Sequence, residues 1–241
     1  MTDAIVIIPT YNEKENIKEI IEVVFSLPED FHVLVVDDNS PDGTAQIVKT
    51  LQKNSQNKVH LIQRKEKNGL GTAYIEGFKW CLAKHYKFIF EMDADFSHNP
   101  IDLIKLYEAA AQDNADVVIG SRYIKGVNVV NWPLMRILLS YGASLYVKLI
   151  TGMRVQDPTA GFVCYRREVL EEINLDKIKF IGYAFQIEMK FKAYKKGFKI
   201  IEIPIIFTDR IRGKSKMSGG IISEAIFGVI SMKWNSLFKK D

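Results

Sequence analysis

Short apolar runs alternate with longer amphipathic stretches through the first half of the chain. The apolar runs predict buried strands at Ala4–Pro9, Val33–Asp37, Val59–Gln63, Phe88–Met92 and Val117–Gly120. The stretches between them have helical periodicity at Glu13–Leu27, Thr44–Lys53, Gly71–Lys84 and Ile101–Gln112. This alternation predicts an α/β fold with a mostly parallel central sheet, helices on both faces and right-handed crossovers. Ligands in such folds bind beyond the carboxyl ends of the strands, so candidate chemistry belongs in the loops that follow them.

The first helix carries a start signal. Asn12 stands three residues before Glu15, which is the spacing of a capping box. The sequence therefore predicts that the first helix begins beside Asn12, with that side chain as its cap.

The second half of the chain is less regular. Its pattern predicts helices at Pro133–Gly152, Tyr183–Lys196 and Ile221–Phe238, strands at Phe162–Tyr165 and Lys199–Phe207, a turn at Gln156–Gly161 and a polar loop at Thr208–Gly220. No internal repeat, low-complexity segment or clear linker interrupts the sequence. The predicted organisation is one domain over residues 1–220, followed by an amphipathic C-terminal helix over residues 221–241.

That last helix has two possible environments. Its apolar residues recur at helical spacing, and Trp234 and the basic pair Lys239 and Lys240 are typical of a helix that lies in a membrane interface. The same pattern also fits a terminal helix packed on the core or on a partner subunit. The sequence leaves both open.

Composition limits the classes of function. The chain has 33 Lys and Arg against 29 Asp and Glu, so its net charge of +4 is too mild to indicate nucleic acid binding by itself. Basic residues nevertheless cluster in the second half, at Arg122, Arg136, Arg210, Arg212, Lys214 and Lys216. Such clusters can meet phosphate or an anionic membrane surface, although a solvated basic face has the same composition.

Cysteine usage and hydropathy predict a cytoplasmic protein. Cys81 and Cys164 have no metal-ligand or redox spacing, so we expect buried thiols in a reducing compartment. No basic-then-apolar signal segment precedes the first strand. The most apolar long stretch, Leu134–Thr151, is interrupted by Arg136 and Lys148, so no transmembrane helix is predicted and membrane contact is expected to be peripheral.

A pair of carboxylates follows the predicted fourth strand. Asp93 and Asp95 are two residues apart, and in an extended segment such residues project to the same side. Two neighbouring carboxylates ionise together at low cost only beside a positive charge, which Mg²⁺ or Mn²⁺ would supply. The alternative is an acidic turn before the helix near Pro100.

A second acidic pair, Asp37 and Asp38, follows the predicted second strand. A carboxylate here can accept hydrogen bonds from the N–H groups of a nucleobase while the other pair holds metal. The segment Ser40–Gly43 also resembles a turn that caps a helix. The two interpretations are compatible.

These motifs resemble the inverting family 2 glycosyltransferases, and among them the dolichyl- and polyprenyl-phosphate mannose synthases. The matching segments are Pro9–Glu13, Val35–Thr44, Asn68–Tyr74, Met92–His98, Gly120–Tyr123, Asn131–Pro133 with Arg136 and Ser140, and Gly213–Lys216. The resemblance implies a nucleotide-sugar-binding GT-A fold with a mixed sheet and an Asp-x-Asp metal site. It further implies GDP-mannose as donor and a polyprenyl phosphate as acceptor.

The resemblance also implies roles for individual residues. The nucleotide sugar would be bound by Pro9, Tyr11, Glu13, Val36, Asp38, Asp93, Ala94, Asp95, Arg210 and Lys216. The acceptor phosphate would be bound by Arg122, Arg136 and Ser140, and the catalytic groups would be Asp93, Asp95 and Arg122. Some members have Gln two residues after the second Asp of the metal site, whereas this chain has Ser97, which can coordinate weakly or through water. The loop Thr208–Gly220 is expected to order over the donor phosphates.

The absence of an acidic pair late in the domain favours a phosphate acceptor. Transfer to a hydroxyl needs a general base, which hydroxyl-transferring relatives supply as an acidic pair at a late helix start. The corresponding segment here has Glu188 alone, for which a structural or solvent-facing role is expected. A phosphate monoester needs no base because its second pKa is about 6. We expect His98 to be a turn or cap residue and Asp157 to line the site without touching substrate.

Three alternatives remain open from the sequence. A family 2 enzyme can use another nucleotide sugar such as UDP-glucose, or a glycan hydroxyl as acceptor. A non-catalytic nucleotide-sugar-binding protein is a third possibility, against which the paired Asp93 and Asp95 count. The predicted location is the cytoplasmic face of a membrane, with a membrane-anchoring partner protein as a further possibility.

Overall fold

The protein is described by a computed structural model that covers residues 2–182, 184–210 and 220–238, with side chains of the last helix covered over residues 227–236. The strands are β1 Ala4–Thr10, β2 Phe31–Asp37, β3 Val59–Gln63, β4 Phe88–Glu91, β5 Val117–Ser121, β6 Val129–Val130, β7 Val163–Arg166, β8 Ile200–Pro204 and β9 Phe207–Thr208. The α-helices are α1 Ile17–Phe25, α2 Thr44–Asn54, α3 Leu70–Leu82, α4 Asp102–Ala111, α5 Leu134–Thr151, α6 Arg167–Glu172, α7 Ala184–Lys195 and α8 Gly220–Phe238.

The main sheet is mostly parallel, as the alternating pattern predicts. Its strand order is β3-β2-β1-β4-β7-β5-β8. Strand β7 runs antiparallel to both of its neighbours, β4 and β5, while the other pairs are parallel. Since β1, β2 and β4 are adjacent and parallel, the loops that follow them meet at one edge of the sheet.

Helices cover both faces of this sheet, which explains why its strands are continuous apolar runs. In β1, Ile5 and Ile7 pack into one hydrophobic cluster, while Val6 and Ile8 pack into another on the opposite face. All four side chains are 0 % exposed. A strand buried on both sides gains from apolar residues at every position.

The capping-box prediction for the first helix is wrong. Helix α1 begins at Ile17, and Asn16 at its start makes no side-chain cap. Asn12 instead adopts a left-handed conformation with φ 57°, and its N–H donates to Ser40 Oγ at 2.9 Å. The local capping signal is overridden by a tertiary contact. Asn12 lies in the turn after β1, where its N–H binds Ser40 in the loop after β2.

The predicted strand Lys199–Phe207 is two strands. Strand β8 ends at Pro204, which has no N–H to continue a ladder. The Ile205 N–H still donates to the Ser121 carbonyl at 3.1 Å, and the chain then turns into β9. This short strand pairs in parallel with β6, which the sequence pattern did not predict.

Helix α5 coincides with the most apolar long stretch of the chain. It spans 18 residues with a mean hydropathy of 1.2, so by length and composition it is long and apolar enough to cross a membrane. Only 17 % of it is buried in the protein. The two charges that argued against a span, Arg136 and Lys148, lie near its two ends, where they break the apolar stretch little.

The two cysteines, Cys81 and Cys164, are buried free thiols, as expected.

The glycines that open α3 allow a close approach of the segment before α7. A Cβ added at Gly71 would lie 2.8 Å from the Phe180 carbonyl oxygen and 2.8 Å from Phe185 Cγ. Gly71→Ala is therefore expected to lower the free energy of unfolding by about 1–3 kcal/mol, as overpacking does. Urea denaturation measures this change.

Gly142→Ala is the matched control, because Gly142 lies in exposed helix α5 with nothing within 4 Å of an added Cβ. Here we expect a gain of up to about 1 kcal/mol from helix propensity. Equal effects of the two substitutions would contradict the close approach at Gly71.

Candidate functional site

The predicted nucleotide-binding residues meet at the carboxyl edge of β1, β2 and β4. Register pairs Thr10 with Asp37 across β1 and β2, and Ile7 with Glu91 across β1 and β4. Pro9 is half-buried at the end of β1, and Val36 is fully buried at the end of β2. The segments that contain Tyr11, Glu13, Asp38 and the aspartate loop therefore leave the sheet side by side.

The two acids after β2 have different roles. Asp37 is fully buried and accepts hydrogen bonds from Thr10 Oγ1 at 2.9 Å and from the N–H and hydroxyl of Ser40 at 2.9 and 2.6 Å. It therefore builds the turn. Asp38 pairs instead with Arg64, whose NH1 lies 2.8 Å from Oδ1. Burial raises the pKa of Asp38, and Arg64 offsets part of that shift.

The turn interpretation of this loop is confirmed. The Asp42 side chain stabilises the turn before α2, because its Oδ1 accepts from the Thr44 N–H at 3.0 Å and from the Thr44 hydroxyl at 2.6 Å. Asp38 lies at the site edge, beside a cation and 7 % exposed. Asp42 thus forms the turn, while Asp38 remains at the edge of the predicted nucleotide site.

Tyr11 and Glu13 flank this region. Lys67 Nζ lies 4.5 Å from the centre of the Tyr11 ring, a cation–π distance. Glu13 is 9 % exposed, and its Oε2 accepts a hydrogen bond from Asn16 Nδ2 at 3.0 Å. The Glu13 N–H donates to Thr44 Oγ1 at 3.0 Å, which ties the loop after β1 to the start of α2.

Asp93 and Asp95 lie on a bent loop rather than on the extended segment that the sequence suggests. Strand β4 ends at Glu91, and Phe96 adopts φ 61°. The Asp93 side chain is 40 % exposed, whereas that of Asp95 is 8 % exposed. Asp95 Oδ1 accepts from the Ser97 N–H at 3.1 Å, and Oδ2 lies 3.1 Å from Arg210 NH2.

This loop fits a divalent cation whose remaining ligands come from substrate. Two carboxylates offer hard oxygen donors, and Asp95 already has a cationic partner in Arg210. Residues 2–182, 184–210 and 220–238 contain no group of three or more His, Cys, Asp or Glu able to hold a metal alone. Ala94 and Ser97, 4 % and 3 % exposed, complete the loop.

His98 is a buried residue whose ring packs against aromatic neighbours. Its ring stacks on Phe162 with centroids 5.0 Å apart, and it is 3 % exposed. Burial lowers the pKa of His98 to about 4, so the imidazole is neutral near pH 7. Its Nδ1 lies 3.5 Å from the Asp93 N–H.

Arg122 is held by a buried bidentate ion pair. Its Nε and NH2 donate to the two carboxylate oxygens of Asp157, each at 2.7 Å, and its backbone N–H donates to Oδ2 at 3.0 Å. Asp157 is 0 % exposed and is fixed by its own N–H, which donates to Glu202 Oε1 at 2.9 Å. Burial raises the pKa of Asp157, but Arg122 outweighs burial, so the net shift is downward.

The other two residues expected to bind the acceptor join Arg122 through aromatic neighbours. Arg136 Cζ lies 4.1 Å from the centre of the Trp132 ring, and Arg122 Cζ lies 5.8 Å from the same centre. Ser140 Oγ accepts a hydrogen bond from the Tyr123 hydroxyl at 2.8 Å. The structure therefore brings Arg122, Arg136 and Ser140 into one cluster.

Strand β9 connects this cluster to the aspartate loop. The Phe207 ring centre lies 5.2 Å from that of His98 and 5.6 Å from Arg122 Cζ. The Thr208 N–H donates to the Ser97 carbonyl at 3.1 Å. The next two residues form ion pairs with these two groups. Asp209 Oδ1 lies 2.9 Å from Arg136 NH1, and Arg210 NH2 lies 3.1 Å from Asp95 Oδ2.

Sequence reasoning missed several members of the site. Arg64, Phe207 and Asp209 had no motif of their own, and their partners are distant in sequence. Asp157 was expected to line the site, but its bidentate contact with Arg122 was not predicted. Lys216, the predicted lid loop beyond Arg210 and the basic tail from Lys239 lie outside the described residues.

Glu188 has a structural role rather than a solvent-facing one. It is 3 % exposed, and its Oε2 accepts from the backbone N–H groups of Lys179 and Phe180 at 2.9 and 3.1 Å. Lys192 lies 3.8 Å from its other oxygen. The carboxylate is thus committed to the segment before α7.

Comparison with known proteins agrees with this geometry. The family model described as "Glycosyl transferase family 2" matches residues 5–174. The chain is 47 % identical over 225 residues to "Polyprenol monophosphomannose synthase" of Mycolicibacterium smegmatis, covering 93 % of this chain and 84 % of that protein. It is 43 % identical over 235 residues to "Undecaprenyl-phosphate mannosyltransferase" of Micrococcus luteus, covering 96 % of each.

Solved structures with low sequence identity share the fold. A mannosyltransferase from Pyrobaculum calidifontis in complex with GDP-Man and Mn²⁺ has a TM-score of 0.63 at 16 % identity, covering 99 % of this chain and 65 % of that one. Glucosyl-3-phosphoglycerate synthase from Mycobacterium tuberculosis with Mn²⁺, UDP and glucosyl-3-phosphoglycerate has a TM-score of 0.67 at 16 % identity, covering 100 % and 81 %. The expected GT-A fold is confirmed.

Asp157→Asn tests the buried ion pair. The substitution leaves the Arg122 charge without its carboxylate, so the free energy of unfolding at pH 7 is expected to fall by about 3–5 kcal/mol. Asp209→Asn is the control, because the side chains of Asp209 and Arg136 are 32 % and 38 % exposed. A partly exposed pair of this kind contributes about 0–1 kcal/mol. Urea unfolding measures both.

The same pair predicts a pH dependence. Because the folded-state pKa of Asp157 is lowered, its stabilisation is present above the unfolded-state pKa and is lost as pH falls through the folded-state value. The loss of stability between pH 5 and more acidic conditions should therefore be smaller in Asp157→Asn than in wild type. Parallel acid profiles would contradict the assignment.

Proposed function

The chain belongs to glycosyl transferase family 2 and is a glycosyltransferase, and from this premise we propose that it transfers a mannosyl group from GDP-mannose to a polyprenyl phosphate with inversion. The observation that carries the proposal is the pair of arginines, Arg122 and Arg136, gathered around Trp132 one strand away from Asp93 and Asp95. Guanidinium groups suit phosphate because their N–H fork matches its oxygens, and at Arg122 the acceptor would have to join or exchange with Asp157, which binds Nε and NH2.

Electrostatics supports a phosphate acceptor over a hydroxyl. Glu188, the acid nearest in sequence to the expected base position, is occupied by two backbone N–H groups. A phosphate monoester is largely dianionic near pH 7, so it can attack without losing a proton to the protein. Its difficulty is repulsion from the donor diphosphate, which Arg122 and Arg136 would reduce.

The proposed step breaks one bond and makes one. An acceptor phosphate oxygen attacks the anomeric carbon of mannose, the bond from that carbon to the β-phosphate oxygen breaks, and the bonding electrons leave with GDP. Asp93 and Asp95, with Ser97 as a weak or water-mediated third ligand, would hold Mg²⁺ or Mn²⁺, which would neutralise charge on the leaving diphosphate. Arg210, with Lys216, would bind the same diphosphate.

The nucleoside would lie over the loops after β1 and β2, against Pro9, Tyr11, Glu13, Val36, Asp38 and Ala94. A carboxylate such as Asp38 can accept from guanine N–H groups, and its bond to Arg64 orients it. A pocket of this kind could also bind UDP-glucose. We favour GDP-mannose because a similar protein is named as a mannosyltransferase.

We also propose peripheral docking on the cytoplasmic face of a membrane. The exposed apolar residues of α5 include Leu134, Met135, Leu138, Leu139, Leu145 and Leu149, each at least 41 % exposed. Helix α8 packs on α5 and α7 and exposes Phe227 and Trp234 at 73 % and 64 %. This surface, which we call the α5/α8 face, would meet lipid beside Arg136 and Ser140, where an acceptor head group is needed. A membrane-anchoring partner is a second possible occupant.

In this proposal residues 1–220 form the catalytic domain and the last helix is its interfacial appendage. Helix α8 has one buried side, with Val229 at 0 % and Met232 at 8 % exposure, and an apolar exposed side. The buried side fits packing on the core, and in this proposal the exposed side would meet lipid.

Transfer of radiolabelled mannose from GDP-mannose into organic-extractable lipid phosphate, with Mn²⁺ present, tests the proposed reaction. Wild type should transfer label, and Asp95→Asn should lose activity at least about 10²-fold because a charge-stabilising group is removed. Asp113→Asn, an exposed position, is the matched control and should transfer at the wild-type rate.

Other outcomes distinguish the alternatives. Label that enters a water-soluble glycan favours a hydroxyl acceptor, and label from UDP-glucose alone changes the donor. The absence of transfer from any nucleotide sugar would leave a binding protein as the better account.

The α5/α8 face predicts vesicle binding. Leu138→Glu/Leu139→Glu places two charges on side chains that are 55 % and 66 % exposed, so folding should be kept while flotation with phosphatidylglycerol vesicles is lost. Phe25→Glu, at an exposed apolar residue of α1, is the control and should float as wild type does. Loss of flotation in both variants, or in neither, would argue against the assigned face.

A further inference from the structure

Helix α7 carries polar side chains into the protein interior. Gln186 is 1 % exposed and Lys190 is 0 % exposed. Lysine is almost never fully buried unless it is paired, because removing an ammonium group from water is unfavourable. Neither residue belongs to the donor or acceptor groups described above, so the burial of Lys190 needs a reason of its own.

The Lys190 ammonium binds the turn that carries Asp157. Its Nζ donates to the Ala160 carbonyl at 2.7 Å, to the Gln186 carbonyl at 3.1 Å and to Gln186 Oε1 at 3.0 Å. These three acceptors match the three protons of an ammonium group. The Ala160 N–H donates to the Asp157 carbonyl at 3.3 Å. The turn that Lys190 binds therefore also carries the carboxylate that accepts hydrogen bonds from Arg122.

The charge of Lys190 also affects a second buried acid. Glu91, the last residue of β4, is 0 % exposed. Burial raises the pKa of Glu91, and the Lys190 charge and the Gln186 side chain both oppose that shift. Asp157 is a further acid whose charge acts on Lys190.

We infer that Lys190 is a positioning residue that fixes Arg122, by binding the Ala160 carbonyl and so holding the turn that carries Asp157. This inference rests on the proposed function. It assigns Lys190 no contact with substrate. Alignment of this kind matters because a misplacement of about 1 Å can lower a rate about 10²-fold.

Steady-state kinetics of Lys190→Met test the inference. The side chain keeps a similar length but loses its three donors. We expect kcat to fall about 10–100-fold, as it does when supporting groups are removed. The KM for GDP-mannose should stay near wild type, because the groups that bind the donor remain, whereas the KM for lipid phosphate should rise because Arg122 helps to bind the acceptor phosphate. Lys192→Met, on the same helix with a side chain 16 % exposed, should keep the wild-type kcat.

A second variant separates positioning from folding. Lys190→Met alone leaves Glu91 buried without its cation, so its melting temperature should fall. Glu91→Gln/Lys190→Met removes both charges and should regain the melting temperature. Its kcat should remain low, because the Ala160 carbonyl still lacks the ammonium donor.

Two results would overturn the inference. One is a wild-type kcat in Lys190→Met. The other is recovery of kcat together with melting temperature in the double variant, which would show that Lys190 serves charge balance alone. If the wild-type protein transfers no mannose to lipid phosphate, the proposed function fails and the inference fails with it. If wild type transfers mannose and Lys190→Met has the same kcat, only the inference fails.

Discussion

Opposite charges are paired along the carboxyl edge of the main sheet, and these pairs hold the loops of the candidate site in place. Three carboxylates on loops at this edge are each paired with a guanidinium: Asp38 with Arg64, Asp95 with Arg210, and Asp157 with Arg122. A buried carboxylate with neither a cation nor hydrogen-bond donors beside it is strongly disfavoured. In our proposal, anionic substrates and a divalent cation bind here by joining or exchanging these ionic partners, so the same forces that fold the loops recognise the ligands.

The sheet brings these pairs together from distant parts of the sequence. Parallel β1, β2 and β4 position the loops of the proposed donor site, and antiparallel β7 is inserted between β4 and β5, which places the turn before β7 beside the end of β5. Arg122 follows β5 and Asp157 precedes β7, so their ion pair spans that junction. Strand β9 then lies between Arg122 and the aspartate loop, through Phe207 and Thr208.

The sequence predicts the parts that local pattern determines. Doubly buried strands are recognisable as apolar runs, and acids at strand ends, such as Asp38 and Asp95, stand out because the chain leaves the sheet there. It does not predict non-local partners. Arg64 is a lone arginine until β3 pairs with β2, and β6 is too short to have a period. The capping signal at Asn12 fails because a tertiary contact with Ser40 outweighs it.

The claim on which the account depends is that the aspartate loop binds a divalent cation together with the donor diphosphate. Electron paramagnetic resonance of free Mn²⁺, titrated against protein with GDP present, measures this most directly. Wild type should bind one Mn²⁺ per chain, and Asp93→Asn should bind it at least about 10-fold more weakly, since that carboxylate is partly exposed and its loss should leave the fold intact. Equal affinity in the two proteins would contradict the account.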